Sequence, residues 1–209
     1  MKISIRKLKE RAIEEIKLDA DLILLSTLSG LIAAYGIKID SIFVLIGAML
    51  VAPFFDPIIS VVVLMLTDMK GSLRKVFFAL FLSFLVAFLS SSVFWIIQIY
   101  FLGFQNIVSS EPALLIDNFM IALLMGFIGI LLWVFPKGSN ASAGLAIAVA
   151  LVPPLAYSTF FLVNLQLEMF FTYFEVFVIY LVGIMIGSFM GILVFRKNRK
   201  LKLVDEISF

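Results

Sequence analysis

The sequence predicts an all-α membrane protein of about six transmembrane helices, arranged as two inverted three-helix repeats with proline breaks in the second and fifth helices. Three observations lead there: an extreme apolar composition, a succession of six apolar stretches, and basic residues confined to one side of that succession. Apolar residues make up 63% of the 209-residue chain, its mean hydropathy is +1.18, and only 14% of it is charged, about half the share in a soluble domain. No globule of this size has an interior large enough to hide so much apolar surface, so lipid must cover it. With 23 Phe against six Pro and 12 Gly, the composition is that of long apolar segments and not of a disordered or collagen-like polymer.

Residues 1–21 alternate charged with apolar positions, and Ile5, Leu8, Ala12 and Ile16 recur on one helical face, which predicts a short amphipathic helix at the membrane surface. Glu10, Glu14, Glu15, Asp19 and Asp21 make this stretch too acidic for the start of a cleaved signal. The first span is expected from Leu22 to Gly36, with a short turn to Asp40. The apolar stretch from Ser41 to Thr67 is longer than a bilayer requires, and Pro53 and Pro57 interrupt it, so it should be a broken or kinked helix. A polar loop, Asp68 to Lys75, precedes a third span from Val76 to Ile97, closed by Trp95 and Tyr100 at interface depth. After the longest connection come a fourth span, Asn118 to Phe135, a turn at Pro136-Lys137-Gly138, a fifth span from Ala141 to Val163 interrupted by Pro153-Pro154, and a sixth from Val176 to Phe195. The aromatic stretch Phe170 to Phe174 is expected to lead into this last span. The membrane domain is thus 22–195, followed by a basic tail, 196–209.

In this six-span reading, 15 of the 16 Lys and Arg residues fall on the face that carries both termini, and Lys38 alone falls on the other. The positive-inside rule then puts both termini in the cytoplasm, in the plasma membrane. A missed or invented span would have scrambled the asymmetry. The tail run Arg196, Lys197, Arg199, Lys200 and Lys202 directly follows a span, so it is expected to meet anionic lipid at the cytoplasmic face and not nucleic acid.

The chain contains no His and no Cys, which removes imidazole proton relays, Ser-His dyads, thiol nucleophiles, disulfides and the common zinc sites. It also lacks a phosphate-binding Gly-rich Lys-Ser/Thr loop. Neither a cofactor nor a metal is expected. An intramembrane aspartyl enzyme needs two facing carboxylates, whereas Asp56 is the one acid deep in an apolar stretch and Glu175 the nearest second. The chain is therefore not expected to be an enzyme.

The halves resemble one another. Leu50-Val51-Ala52-Pro53 aligns with Leu151-Val152-Pro153-Pro154, and each follows a stretch of small residues, Gly47-Ala48 in one half and Gly144 to Ala150 in the other. Because each half holds an odd number of spans, the second must be inverted relative to the first, an arrangement associated with secondary transporters and some channels. The stretch from Gly47 to Ile58, followed about a hundred residues later by Gly144 to Ala156, resembles the uncharacterised hydrophobic domain family, domain of unknown function 389. The resemblance implies a polytopic prokaryotic membrane protein and implies no settled substrate or reaction. Soluble regions found in some relatives have no counterpart in this sequence.

The candidate pathway residues are Asp56, Pro53, Pro57, Pro153, Pro154, Ser91 and Gln98. Asp56 before Pro57 has two compatible readings: a helix start with Asp as N-cap, or a carboxylate facing a water-filled cavity where a cation or proton binds. The diproline frees backbone carbonyls that either bind a ligand or only accommodate a kink. Ser91 and Gln98 either line a path or satisfy themselves within their own helix and its neighbours. Gly183, Gly187 and Gly191 form a four-residue ladder that fits an internal helix seam or a homodimer contact, the internal seam being favoured. A secondary transporter or channel-like protein for a small solute or ion is the leading expectation. A membrane scaffold or partner subunit without transport activity is the alternative.

Overall fold

In the computed structural model the described residues are 19–66, 70–104, 115–134 and 140–198, and all of their regular structure is helical. Most of the expected amphipathic segment, most of the basic tail and the turn at Pro136-Lys137-Gly138 lie outside them. Seven helices follow in order: α1 (Ala20–Lys38), α2 (Ile42–Val51), α3 (Phe55–Leu66), α4 (Lys70–Ile96), α5 (Leu115–Val134), α6 (Asn140–Val163) and α7 (Leu167–Asn198). Within this set, α1, α4, α5 and α7 are each long and apolar enough to cross a membrane, and the bent pair α2–α3 makes a fifth crossing unit.

The break between α2 and α3 comes where proline dictates. Ala52 precedes Pro53 and adopts the extended conformation that the proline ring imposes on its neighbour (ψ 122°), and the two helices meet at 49°. α3 then opens at Phe55, with the Phe54 carbonyl accepting the Ile58 N–H at 3.3 Å. Asp56 thus lies inside the first turn, not ahead of it as the N-cap reading has it, and Pro57 occupies a first-turn position whose N–H has no intrahelical acceptor in any case. The second expected break differs: α6 is helical straight through Pro153 and Pro154. The prolines remove two donors, so the carbonyls of Val149 and Ala150 lose their usual partners, but a helix packed on several neighbours keeps its course without them. α7 begins at Leu167, well ahead of Val176, because the aromatic entry is itself helical: Tyr173 stacks on Tyr157 and Phe161 of α6 with centroids 5.1 and 5.2 Å apart. α4 likewise starts at Lys70, so the basic stretch ahead of Val76 belongs to the helix, and it ends in a π-helical turn, Ile97–Phe101.

Neighbour pairs give the helix directions. Gly30 faces Ala87, Tyr35 meets Phe94 and Lys38 bonds Gln98, so α1 and α4 run parallel. α2–α3 must therefore run back between them, which makes the pair a broken span and not a loop re-entering from one side. Ser91 with Thr159, Trp95 with Phe160 and Tyr100 with Val163 set α6 parallel to α4. Asn118 with Tyr180, Gly126 with Ser188 and Ile130 with Gly191 set α7 parallel to α5. Two turns use the same device at their helix ends. Ser41 N–H reaches Gly36 O and Asp40 N–H reaches Ile37 O, while Gln166 N–H reaches Phe161 O and Leu165 N–H reaches Leu162 O. Both are Schellman motifs, with Asp40 (φ 50°) and Leu165 (φ 58°) in the left-handed position that glycine usually fills.

The glycine ladder is an internal seam. A methyl group added at Gly187 would run into the Leu123 carbonyl, one at Gly126 into the Ile184 carbonyl, one at Gly183 into Ala122 and one at Gly191 into Ile130. α5 and α7 accordingly make the most extensive helix contact of the fold. Ser188, buried in the seam, donates to the Gly126 carbonyl at 3.0 Å.

Candidate functional site

The α2–α3 break, α1, α4 and the diproline stretch of α6 converge. Around the meeting point lie Ser29, Gly30, Ala33, Phe54, Ala87 and Ser91, with Val152, Leu155 and Ala156 flanking the diproline. The space they leave is a void of about 10 Å³, the lower limit for one water, and its walls are almost wholly apolar. The hydroxyls at its edge already have partners. Ser29 Oγ donates to the Ala48 carbonyl at 3.0 Å, tying α1 to α2 just ahead of the break. Ser91 Oγ and Thr159 Oγ1 share a buried hydrogen bond of 2.6 Å, and Thr159 also reaches the Ala156 carbonyl at 2.7 Å, tying α4 to α6. In this conformation the crossing is closed.

Asp56 lies apart from the residues that border the void. Trp133 Nε1, in the last turn of α5, donates to Asp56 Oδ1 at 3.2 Å, with the carboxylate half-buried and the indole buried. The indole N–H and the positive end of the α3 dipole at its first turn both stabilise a carboxylate there. Gln98 is also separate. It lies about two turns beyond Ser91 in the π-helical end of α4, where its side-chain oxygen accepts the Lys38 ammonium at 2.7 Å.

The structure thus gathers Ser91, the break at Pro53 and the Pro153-Pro154 stretch, and it sets Asp56 and Gln98 on separate contacts. Glu175 is exposed on α7. Sequence reasoning passed over Trp133, Ser29, Thr159 and Lys38 as partners. Trp133 carried one usable signal, as one of only two Trp residues in the chain, standing in the fourth span. Among the described residues no group of acids is placed to hold a metal ion.

The buried hydroxyl pair gives a first test. Thr159→Val is expected to cost about 1–3 kcal/mol by stranding the Ser91 hydroxyl, and Ser91→Ala about 0.5–1.5 kcal/mol, because Thr159 keeps its bond to the Ala156 carbonyl. The double variant should lose less than the sum of the two, measured by thermal unfolding in detergent. Additive losses would mean that the two side chains do not interact.

A family model described as "Domain of unknown function (DUF389)" matches residues 49–186, more than half of the chain. The chain belongs to the DUF389 family. The matched region of this DUF389 protein begins at Met49, just ahead of the break, and takes in the break, α4, the diproline and α7 as far as Ile186, so three of the four converging elements belong to the family's domain and α1 lies ahead of it. No curated protein and no solved structure matches the chain.

Proposed function

We propose that this DUF389 protein is a secondary-transporter-like or channel-like membrane protein for a small solute or ion, built as two inverted three-helix repeats. The carrying observation is the convergence of the broken span of one half with the diproline helix of the other, at an apolar point bordered by the hydroxyls of Ser29 and Ser91. The repeat draws support from the helix directions. In each half the first and third helices run parallel and touch through a glycine of the first, Gly30 at Ala87 and Gly126 at Ile184, while the middle element runs against them. Interrupted helices at the interface of two repeats, with freed backbone carbonyls, form the usual binding region of such transporters. The void of about 10 Å³ makes this conformation a closed one, and passage requires the halves to part. With basic residues on one face in the six-span reading, the protein sits in the plasma membrane with both termini cytoplasmic and with anionic lipid around its basic segments.

A scaffold or partner-subunit role is the second reading, and the dry packing of the crossing is the observation that favours it. Reconstitution separates the two. Proteoliposomes assayed with a panel of monovalent and divalent ions, organic acids and amino acids are expected to show protein-dependent flux of at least one. Flux should fall about tenfold when bulk is placed in the crossing by Ala33→Leu or Ala156→Leu, provided the variant elutes as a single folded species. No flux for any solute, together with a membrane protein that co-purifies in fixed proportion, would overturn transport in favour of the scaffold.

A further inference from the structure

The end of the bundle where α1 and α4 finish holds a cation that no carboxylate among the described residues neutralises. Lys38, the last residue of α1, is half-buried, its ammonium donating to Gln98 Oε1 at 2.7 Å and lying 5.7 Å from the centre of the Phe104 ring. Among the described residues no carboxylate pairs with it, and Asp40, two residues on, is exposed. A neutral amide and an aromatic face orient an ammonium without neutralising it, and a helix C-terminus adds only partial negative charge. A charge held among apolar segments calls for an opposite charge.

The arrangement is built. Gln98 sits in the π-helical turn, and its backbone carbonyl accepts the Phe104 N–H at 2.9 Å, so one residue fixes both the ammonium and the ring beneath it. A lysine that only snorkels extends toward water, whereas the ammonium of this one is held by Gln98. The segments adjoining Lys38 and Gln98 present large apolar side chains outward, with Phe43 82% and Phe101 78% exposed. Fixed positive charge beside an exposed apolar rim is complementary to a phosphate carrying acyl chains. We propose that Lys38 and Gln98 form a binding site for the headgroup phosphate of a phospholipid, with its chains lying along Phe43 and Phe101. This site is separate from the crossing, and it stands or falls independently of transport.

The protein carries its own local probe, because Trp95 lies 5.9 Å from the Phe104 ring and the chain has only two Trp. In a Trp133→Phe background Trp95 is the sole indole. Titrating that protein in detergent with dioleoyl phosphatidylglycerol is expected to give a saturable change in Trp95 emission. Lys38→Met should move the midpoint about tenfold or more to higher lipid, and Lys38→Arg should hold it within about threefold. Dioleoylglycerol, with the same chains and no phosphate, and inorganic phosphate at about 10 mM are each expected to give no change. A response to phosphate alone would reassign the site to a free anion and overturn the lipid proposal, as would an equal response to dioleoylglycerol. No response to phosphatidylglycerol, or the same midpoint in Lys38→Met, would overturn it as well. Native mass spectrometry without the Trp133 substitution provides the second measurement: Lys38→Met should carry one tightly bound phosphatidylglycerol fewer, and an unchanged count counts against the site.

Discussion

Gly187→Leu is expected to yield no monodisperse folded protein, and Gly187→Ala a protein that unfolds about 3–10 °C earlier in mild detergent. The reason is the closeness of α5 to α7. A methyl group at Gly187 would collide with the Leu123 carbonyl, which is backbone and cannot swing aside like the end of a flexible side chain. The two helices would have to separate along their length, and Ser188 would lose its buried bond to Gly126. Overpacking of this kind costs about 1–3 kcal/mol for a single methyl group and more for a branched side chain. Gly126→Ala should behave in the same way, since its methyl group would meet the Ile184 carbonyl. Gly47→Ala is the control: it lies inside α2 with open space around it, and alanine in place of glycine there should leave stability unchanged or raise it by up to about 1 kcal/mol. The measurement is far-UV circular dichroism against temperature, with size-exclusion chromatography of each variant. A Gly187→Ala protein as stable as the parent would show that the seam is looser than its geometry requires.

The elements were legible because the bilayer imposes a length and proline imposes a stop. Pro53 gave the α2–α3 break directly, since Ala52 ahead of it takes the extended conformation that a proline ring favours. Pro153-Pro154 gave an interruption where the structure has continuous helix, and α6 there packs against α1, α2, α3, α4, α5 and α7. Tertiary packing also decided the start of α7, where rings that read as an interface belt stack on α6 and so belong to the helix. Partners were the part that could not be read. Nothing in the spacing of Asp56 and Trp133, or of Lys38 and Gln98, says that they meet, because contacts between parallel helices 60 to 77 residues apart depend on helix rotation and not on pattern. The glycine ladder was legible as a close-approach face, and only three-dimensional packing could choose α5 as its partner.

Asp56 is where a structural and a functional role divide most sharply, and the indole–carboxylate bond allows them to be measured apart. Trp133→Phe removes the indole's hydrogen bond to the half-buried carboxylate, which is expected to cost about 1.5–3 kcal/mol, the range for hydrogen bonds to charged groups. Asp56→Ala should cost a similar amount, and the double variant should lose about 1–2 kcal/mol less than the sum if the pair is coupled. Asp56→Asn keeps an oxygen that accepts the indole N–H and discards the charge, so its stability should stay within about 1 kcal/mol of the parent. Transport of whichever solute the proteoliposomes carry then separates the roles. If Asp56→Asn lowers flux by about tenfold or more while Trp133→Phe retains most of it, the negative charge itself takes part in passage. If Asp56→Asn transports like the parent, the carboxylate serves the first turn of α3 and its tie to α5, and the moving species must find its oxygen ligands at the crossing, among Ser29, Ser91 and Thr159 and the carbonyls that the prolines set free.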